Sequence, residues 1–401
     1  MGTPQLSTMT GAGLDAAWTA VEEAFNGAPH PVDAPVEQAL VDPARMLVAH
    51  DGDRVVATSG SFALRMSLPG TGPSPVAGVT WVSVAATSRR QGLLTQMLTR
   101  LLRERWEAGE SVAALWATEA AIYQRFGFGP AASLLSVRVP RGAAFVRPAP
   151  RGGLQVVAPD PQRLDPVLVR VAGHTPGWYL RDEALWAYRL HDPEHRRDGA
   201  APLRCVVTED GDGYALYSTV PSFGPAGPDG EVRVRELAAA TPEAAARLWR
   251  FLLDLDLTTS TTARLAVDDV LLHLLAEPRR AVARLSDALW VRPLDVGRAL
   301  AARRYAADLD VVLDVADPTC PWNTRRWRLS GGPAGATCSP TQDPADLALG
   351  AADLGAALLG GSGLHARAAA GTVVEQRPGA LAATATAFGP LGRPPHCPMV
   401  F

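Results

Sequence analysis

One segment constrains the fold more than any other. Residues 75–85 form a β-prone run carrying Val76, Val79, Trp81, Val82 and Val84, and a few residues later comes Arg89-Arg90-Gln91-Gly92. Beyond the glycine, Leu94, Met97, Leu98, Leu101, Leu102 and Trp106 recur at spacings of three and four. That is the period of an amphipathic helix with one apolar face. A strand that feeds such a helix must let the helix fold back onto a sheet, so the first part of the chain reads as α/β. The turn between them is chemically distinctive. The first N–H groups of a helix have no internal partners and carry the positive end of its dipole, so they form an anion seat that suits a pyrophosphate. Gly92 allows a ligand to approach the backbone closely. Arg89 and Arg90 can add charge-assisted hydrogen bonds. The free edge of Trp81–Val84 can pair with an extended, amide-bearing ligand.

The flanking elements agree with an α/β arrangement. Residues 16–25 read as a helix. Residues 46–50 and 54–59 read as a hairpin turning at Asp51-Gly52-Asp53. Residues 61–67 are expected to form a third strand, 111–117 a short apolar strand and 120–126 a short helix, capped by Thr118 at its start and Gly127 at its end. The sequence Pro140-Arg141-Gly142 and the run 147–153 mark a linker. Beyond it, strands are expected over 203–207, 214–220 and 231–237, a helix over 242–255, a helix-like stretch over 268–275 and a strand over 281–290. The last part reads as a helix over 295–305, strands over 309–315 and 325–329, and a helix over 347–359.

Composition narrows the function. The chain has 401 residues and a net charge of −3, without the basic excess of a nucleic-acid or anionic-membrane protein. No apolar run reaches the ~18 residues of a membrane span, and the first residues show no signal peptide. The four cysteines are scattered, with no C-x-x-C pair, so neither a disulfide framework nor a cysteine metal site is expected. All 38 basic residues are arginine, a composition bias. His191 and His195 are split by Pro193 and do not read as a metal pair. Residues 174–179 with Trp186 read as core, the alternative being an aromatic lining for a cationic ligand.

The Arg89-Arg90-Gln91-Gly92 turn resembles the acetyl-coenzyme A motif of GNAT-fold acetyltransferases, with Leu94 where the family has a small residue. Downstream, Ile122-Tyr123-Gln124-Arg125-Phe126-Gly127-Phe128 resembles the same fold's Tyr-x-x-Phe/Leu-Gly-Phe signature. Taken with Leu115-Trp116-Ala117-Thr118-Glu119, Cys320-Pro321-Trp322-Asn323 and Cys397-Pro398-Met399-Val400-Phe401, these segments resemble the Eis (enhanced intracellular survival) acetyltransferases over essentially the whole length. On its own, Tyr123 could equally be a core aromatic like Phe126 and Phe128.

The resemblance implies tandem GNAT folds, the second degenerate, followed by a sterol-carrier-protein-like α+β domain, with boundaries at 1–146, 147–288 and 289–401. Residues 147–288 indeed contain no R-x-x-G turn between strand and helix. It implies acetyl-CoA contacts at Val82, Ser83, Val84, Arg90, Gln91, Gly92, Leu93, Leu94, Thr95, Thr118 and Glu119. It implies Tyr123 as general acid and the α-carboxylate of Phe401 as base, with no metal. It further implies a cytoplasmic homohexamer that acetylates small polycationic amines, notably aminoglycoside antibiotics. The alternatives are a protein lysine N-acetyltransferase and a non-enzymatic carrier of apolar ligands.

Overall fold

A computed structural model describes residues 4–150 and 152–401. They divide into two compact units.

The first unit comprises residues up to 132, 288–391 and 399–401. Its main sheet runs in the order β1 (Gln5–Thr8), β2 (Met46–Asp51), β3 (Arg54–Leu68), β4 (Gly72–Val84), β5 (Val112–Trp116), β16 (Leu289–Pro293) and β6 (Gly129–Pro130). The hairpin turn predicted at 51–53 is present, with Gly52 at φ +60°. The separate strand expected over 61–67 is instead the far half of β3. The strand runs on through Gly60, where a Cβ would sit 1.7 Å from Met46 Sδ, so the glycine marks close packing rather than a turn. Between β1 and β2 lie helix α1 (Leu14–Ala24) and a short α2 (Ala34–Gln38) that begins inside a proline-rich stretch.

Strands β4 and β5 are parallel and joined by α3 (Leu93–Glu107), a βαβ unit. Its apolar stripe, Leu93, Met97, Leu98, Leu101 and Leu102, is buried against Ala77, Val79, Leu115, Phe126 and Phe128. Each such side chain contributes about 1.5–3 kcal/mol. Helix α4 (Ala120–Gln124) follows β5.

A second sheet in this unit has the order β19 (Gly335–Pro340), β18 (Arg325–Gly332), β17 (Leu309–Ala316), β20 (Leu347–Gly350) and β21 (Val373–Glu375). It is accompanied by α9 (Val296–Ala301), α10 (Ala351–Ala357), α11 (Leu364–Ala369) and α12 (Ala380–Ala387). The helix expected over 347–359 starts only at Ala351. Leu347 and Leu349 are buried in alternation, the period of a strand, and they pair with β17 and β21. The helix expected over 295–305 ends at Ala301, and Tyr305 beyond it is buried with its hydroxyl donating to the Leu300 carbonyl at 2.8 Å.

The second unit comprises residues 133–287 and 392–398. Its sheet runs β15 (Val282–Asp287), β7 (Ser133–Pro140), β14 (Thr258–Ala266), β13 (Gly230–Ala239), β10 (Gly213–Val220), β9 (Arg204–Thr208) and β8 (Leu154–Val157). A short hairpin, β11 (Phe223–Gly224) and β12 (Gly227–Pro228), stands apart. The unit also holds α5 (Pro161–Ala172), α6 (Glu183–Leu190), α7 (Pro242–Asp254) and α8 (Val270–Leu274). Parallel β13 and β14 joined by α7 repeat the β4–α3–β5 unit. The strand expected over 281–290 is two strands. It breaks at Ala288, after which the chain leaves this sheet and joins the first one between β5 and β6. Thr175–Tyr179 and Trp186 are core as expected, whereas His174 at the start of that run is exposed. The four cysteines are free thiols.

Candidate active site

The site begins with a fork in the first sheet. Strands β4 and β5 pair only at Ala77–Ala113 and Gly78–Ala114. Beyond that, Val79–Val84 have no partner on β5, whereas β5 continues to pair with β16 on its other side. The cause is a bulge in β4. Thr58 lies opposite Ser83 and Gly60 opposite Thr80, so Trp81 and Val82 together face Ser59. Trp81 takes up the extra residue at φ +51°, and its carbonyl accepts the Thr58 hydroxyl at 2.6 Å. Such a bulge bends the strand and releases its edge. The Ser83 hydroxyl is committed to Thr58 Oγ1 at 2.8 Å, so Ser83 offers only its backbone. Val82 and Val84 rest half-buried on the core.

Helix α3 starts at the mouth of this fork. Gly92 is its N-cap at φ +81°, and no side chain caps the helix. The first-turn N–H groups of Leu93, Leu94 and Thr95 therefore lack intrahelical partners. Arg90 at φ +63° and Gly92 alternate in hand with Gln91 between them, an arrangement that turns successive N–H groups toward one side. Arg90, Gln91 and Thr95 are exposed, whereas Leu93 is buried. Arg89 is tied down differently, with Nε donating to the Val84 carbonyl at 3.2 Å.

The corresponding helix of the second unit is closed to anions. Thr241 accepts from the Ala244 N–H at 3.2 Å, Pro242 has no N–H to offer, and Glu243 adds a negative charge. Glu236, on the matching strand β13, is buried with Arg181 at 2.6 and 2.9 Å and with the Tyr214 hydroxyl at 2.6 Å. Burial would raise its carboxyl, but Arg181 and Arg189 outweigh that and hold it at about 2. The second copy has thus kept the fold and lost the seat.

Tyr123 lies on α4, buried among the residues of both fork strands. Its ring meets Phe128 edge-on at 6.3 Å. Burial raises its phenol above the usual value, a hydrogen bond with the Thr118 side chain partly opposes this, and Glu119 adds to the rise. The capping role expected of Thr118 is not observed. Glu119 is the N-cap residue of α4 and makes no side-chain cap. Phe401 is half-buried, and a Cβ on Gly78 would come 3.1 Å from its ring Cε2. Gly78 is the last β4 residue still paired with β5, so Phe401 rests where the strands part.

Comparison with known proteins gives this geometry its family. Residues 5–131 and 177–293 each match an acetyltransferase (GNAT) domain, and residues 296–398 match a sterol carrier protein domain. An uncharacterized N-acetyltransferase of Streptomyces avermitilis is 45% identical, with 88% of each chain covered. N-acetyltransferase Eis of Mycobacterium tuberculosis is 35% identical over 78% of this chain and 77% of its own. The chain belongs to the Eis family. The crystal structure of Eis1 from Mycobacterium abscessus superposes with a TM-score of 0.87 at 30% identity, covering 99% of this chain and 100% of that one. The protein is accordingly a GNAT-type N-acetyltransferase with tandem GNAT folds and a sterol-carrier-like domain. Enzymes of this fold use acetyl-CoA, and the uncapped α3 terminus beside a freed strand edge suits its pyrophosphate and its amide-bearing arm.

Sequence reasoning singled out the turn, Tyr123 and Phe401. It did not reach the bulge at Trp81 or the buried Arg292 and Asp317 behind α4. A left-handed tryptophan has no local signature, and one arginine among many carries none either.

Proposed function

We propose that this enzyme transfers the acetyl group of acetyl-CoA to amines of small polycationic acceptors, aminoglycosides foremost, by direct attack in a ternary complex. The observation that carries the reading is the open N-terminus of α3 at the mouth of the β4–β5 fork, present in the first GNAT copy and capped in the second. Arg90, Gln91, Gly92, Leu93, Leu94 and Thr95 hold the pyrophosphate through backbone N–H groups and the Arg90 guanidinium. Val82, Ser83 and Val84 pair through their backbone with the pantetheine amides, and Thr118 and Glu119 border the thioester. The acceptor nitrogen attacks the thioester carbonyl, the C–N bond forms and the C–S bond breaks. Tyr123 donates its proton to the departing sulfur, and the Phe401 α-carboxylate takes the proton from nitrogen. A phenol with a raised pKa stays protonated at neutral pH, as an acid must. Such placed acid–base groups contribute about 10²–10⁴-fold. By family resemblance the enzyme works as a cytoplasmic homohexamer.

Two other readings have less support. A protein lysine N-acetyltransferase would use the same chemistry on a macromolecule. A carrier of apolar ligands would need a hollow C-terminal domain. There, Arg303 is fully buried, with its guanidinium donating to the Ala357 and Leu358 carbonyls at 3.1 and 2.6 Å and lying over the rings of Tyr305 and Phe388. A charged group in that core favours a scaffold. The test is thiol release from acetyl-CoA against aminoglycosides, polyamines and lysine peptides, with mass analysis of each product.

A further inference from the structure

The Cys320–Asn323 motif and strand β16 take no part in the chemistry above, yet both converge on the helix that carries Tyr123. Arg292 of β16 is fully buried. Its Nη1 donates to the Phe126 carbonyl, its Nε to the Pro293 carbonyl at 3.2 Å, and its Nη2 to Asp317 Oδ2. Its guanidinium carbon lies 6.0 Å from the centre of the Phe128 ring, the same ring that meets Tyr123 edge-on. The N–H groups of Phe126 and Phe128 both donate to the Tyr123 carbonyl, at 3.0 and 3.3 Å. Gly127 sits between them at φ +79°, and a Cβ there would come 3.1 Å from Arg292 Nη1. One guanidinium thus grips the turn that ends α4 and backs the ring that packs on the tyrosine.

Asp317 is itself fixed. Its Oδ1 accepts the Cys320 N–H and its Oδ2 accepts Asn323 Nδ2, both at 3.0 Å. Its N–H donates to Thr324 Oγ1 at 3.0 Å. Asn323 also accepts the Val296 N–H at 3.0 Å, and Trp322 donates to the Leu294 carbonyl at 2.8 Å while stacking on Trp106 at 4.4 Å. A five-residue helix cannot hold its own geometry, and a fully buried ion pair is seldom the most stabilising way to fill a core. Both facts point away from stability as its purpose.

We propose that Arg292, oriented by Asp317, is a positioning residue that sets the phenol of Tyr123 for proton transfer to the leaving thiolate. The C-terminal domain, through its Asp317–Thr324 loop, thereby serves catalysis in the first domain. In that step the Tyr123 O–H bond breaks, the S–H bond forms, and the tyrosinate regains its proton from water. The proposal rests on Tyr123 being the general acid.

The test uses full-length protein, acetyl-CoA and one amine acceptor. Asp317→Asn removes the charge partner and keeps the shape. It is expected to lower kcat roughly 10–100-fold, the scale of a displacement near 1 Å, with the KM for acetyl-CoA unchanged. In a Tyr123→Phe background the same substitution is expected to change kcat less than twofold, because the group it acts through is gone. Thr324→Val, a milder change to the same loop, is expected to show the same pattern at a few-fold scale and serves if Asp317→Asn does not fold. Equal losses in both backgrounds, or an unchanged kcat in the folded variant, overturn the positioning role alone. A wild-type kcat for Tyr123→Phe by itself overturns the general-acid reading and this proposal with it.

Discussion

Gly92→Asp separates the anion seat from the fold. The ideal Cβ at Gly92 meets nothing nearer than Gln96 Nε2 at 3.8 Å, so no clash follows. The φ of +81° costs an L-residue about 1–2 kcal/mol. A carboxylate beside a helix N-terminus returns about 0.3–1 kcal/mol. The net change in stability is therefore about 1 kcal/mol. Against a bound pyrophosphate the balance is different. One negative charge ~6 Å from another costs roughly 0.7 kcal/mol at the permittivity of water and roughly 3 kcal/mol at an effective permittivity of 20. At 1.36 kcal/mol per tenfold, repulsion from a single phosphate charge weakens acetyl-CoA by about 3- to 150-fold, and the two phosphates push toward the upper end. Gly92→Ala carries the same strain without the charge and is expected to lose only a few-fold. Titration calorimetry with acetyl-CoA reads the affinities, and thermal unfolding reads the strain. Raising the salt concentration should narrow the gap between the two variants by screening. A folded Gly92→Asp protein with wild-type affinity would refute the placement of the pyrophosphate at α3.

Tyr123→Phe keeps the edge-on packing against Phe128 and removes the proton donor, so kcat should fall ~10²-fold or more while acetyl-CoA affinity holds; steady-state kinetics with calorimetry checks both. Burial lowers the pKa of His396 to about 4, the charge of Glu236 opposing the drop and that of Arg189 adding to it. Between that value and ~6.5 the unfolded chain binds more protons, so stability is full above about pH 6.5 and declines as pH falls toward 4, by roughly 1–3 kcal/mol. Denaturant titrations at several pH values should show this slope, and His396→Gln should flatten it. An extension added after Phe401 turns its carboxylate into an amide and should abolish most activity, whereas an N-terminal tag should be tolerated; equal rates for the two forms would return the base to a side chain or water.

Legibility in the sequence followed locality. The β4–α3 segment is readable because its β-prone run, its glycine and its three-four apolar spacing all lie within 35 residues and agree with one another. The same held for the 51–53 turn. What escaped depends on distant partners. Whether residues 281–290 are one strand or two is decided by β7 and β5, which the two halves join separately. Residues 347–350 carry helix-forming Ala and Leu, but pairing with β17 and β21 overrides propensity. Thr118 has the chemistry of a cap, but α4 begins one residue later and Glu119 occupies the N-cap. In the site itself, the residue types were visible, whereas the fork was not, because it comes from one left-handed residue opposite Ser59.

The most direct test of the account is product analysis after incubation with acetyl-CoA and an equimolar mixture of an aminoglycoside, a polyamine and a lysine peptide. The account predicts one coenzyme A thiol released per acetyl transferred, with the aminoglycoside carrying most of the acetyl groups and more than one per molecule. Acetylation confined to the peptide would contradict the proposed acceptor class, and folded protein that binds acetyl-CoA yet releases no thiol with any amine would contradict the chemistry assigned to the fork.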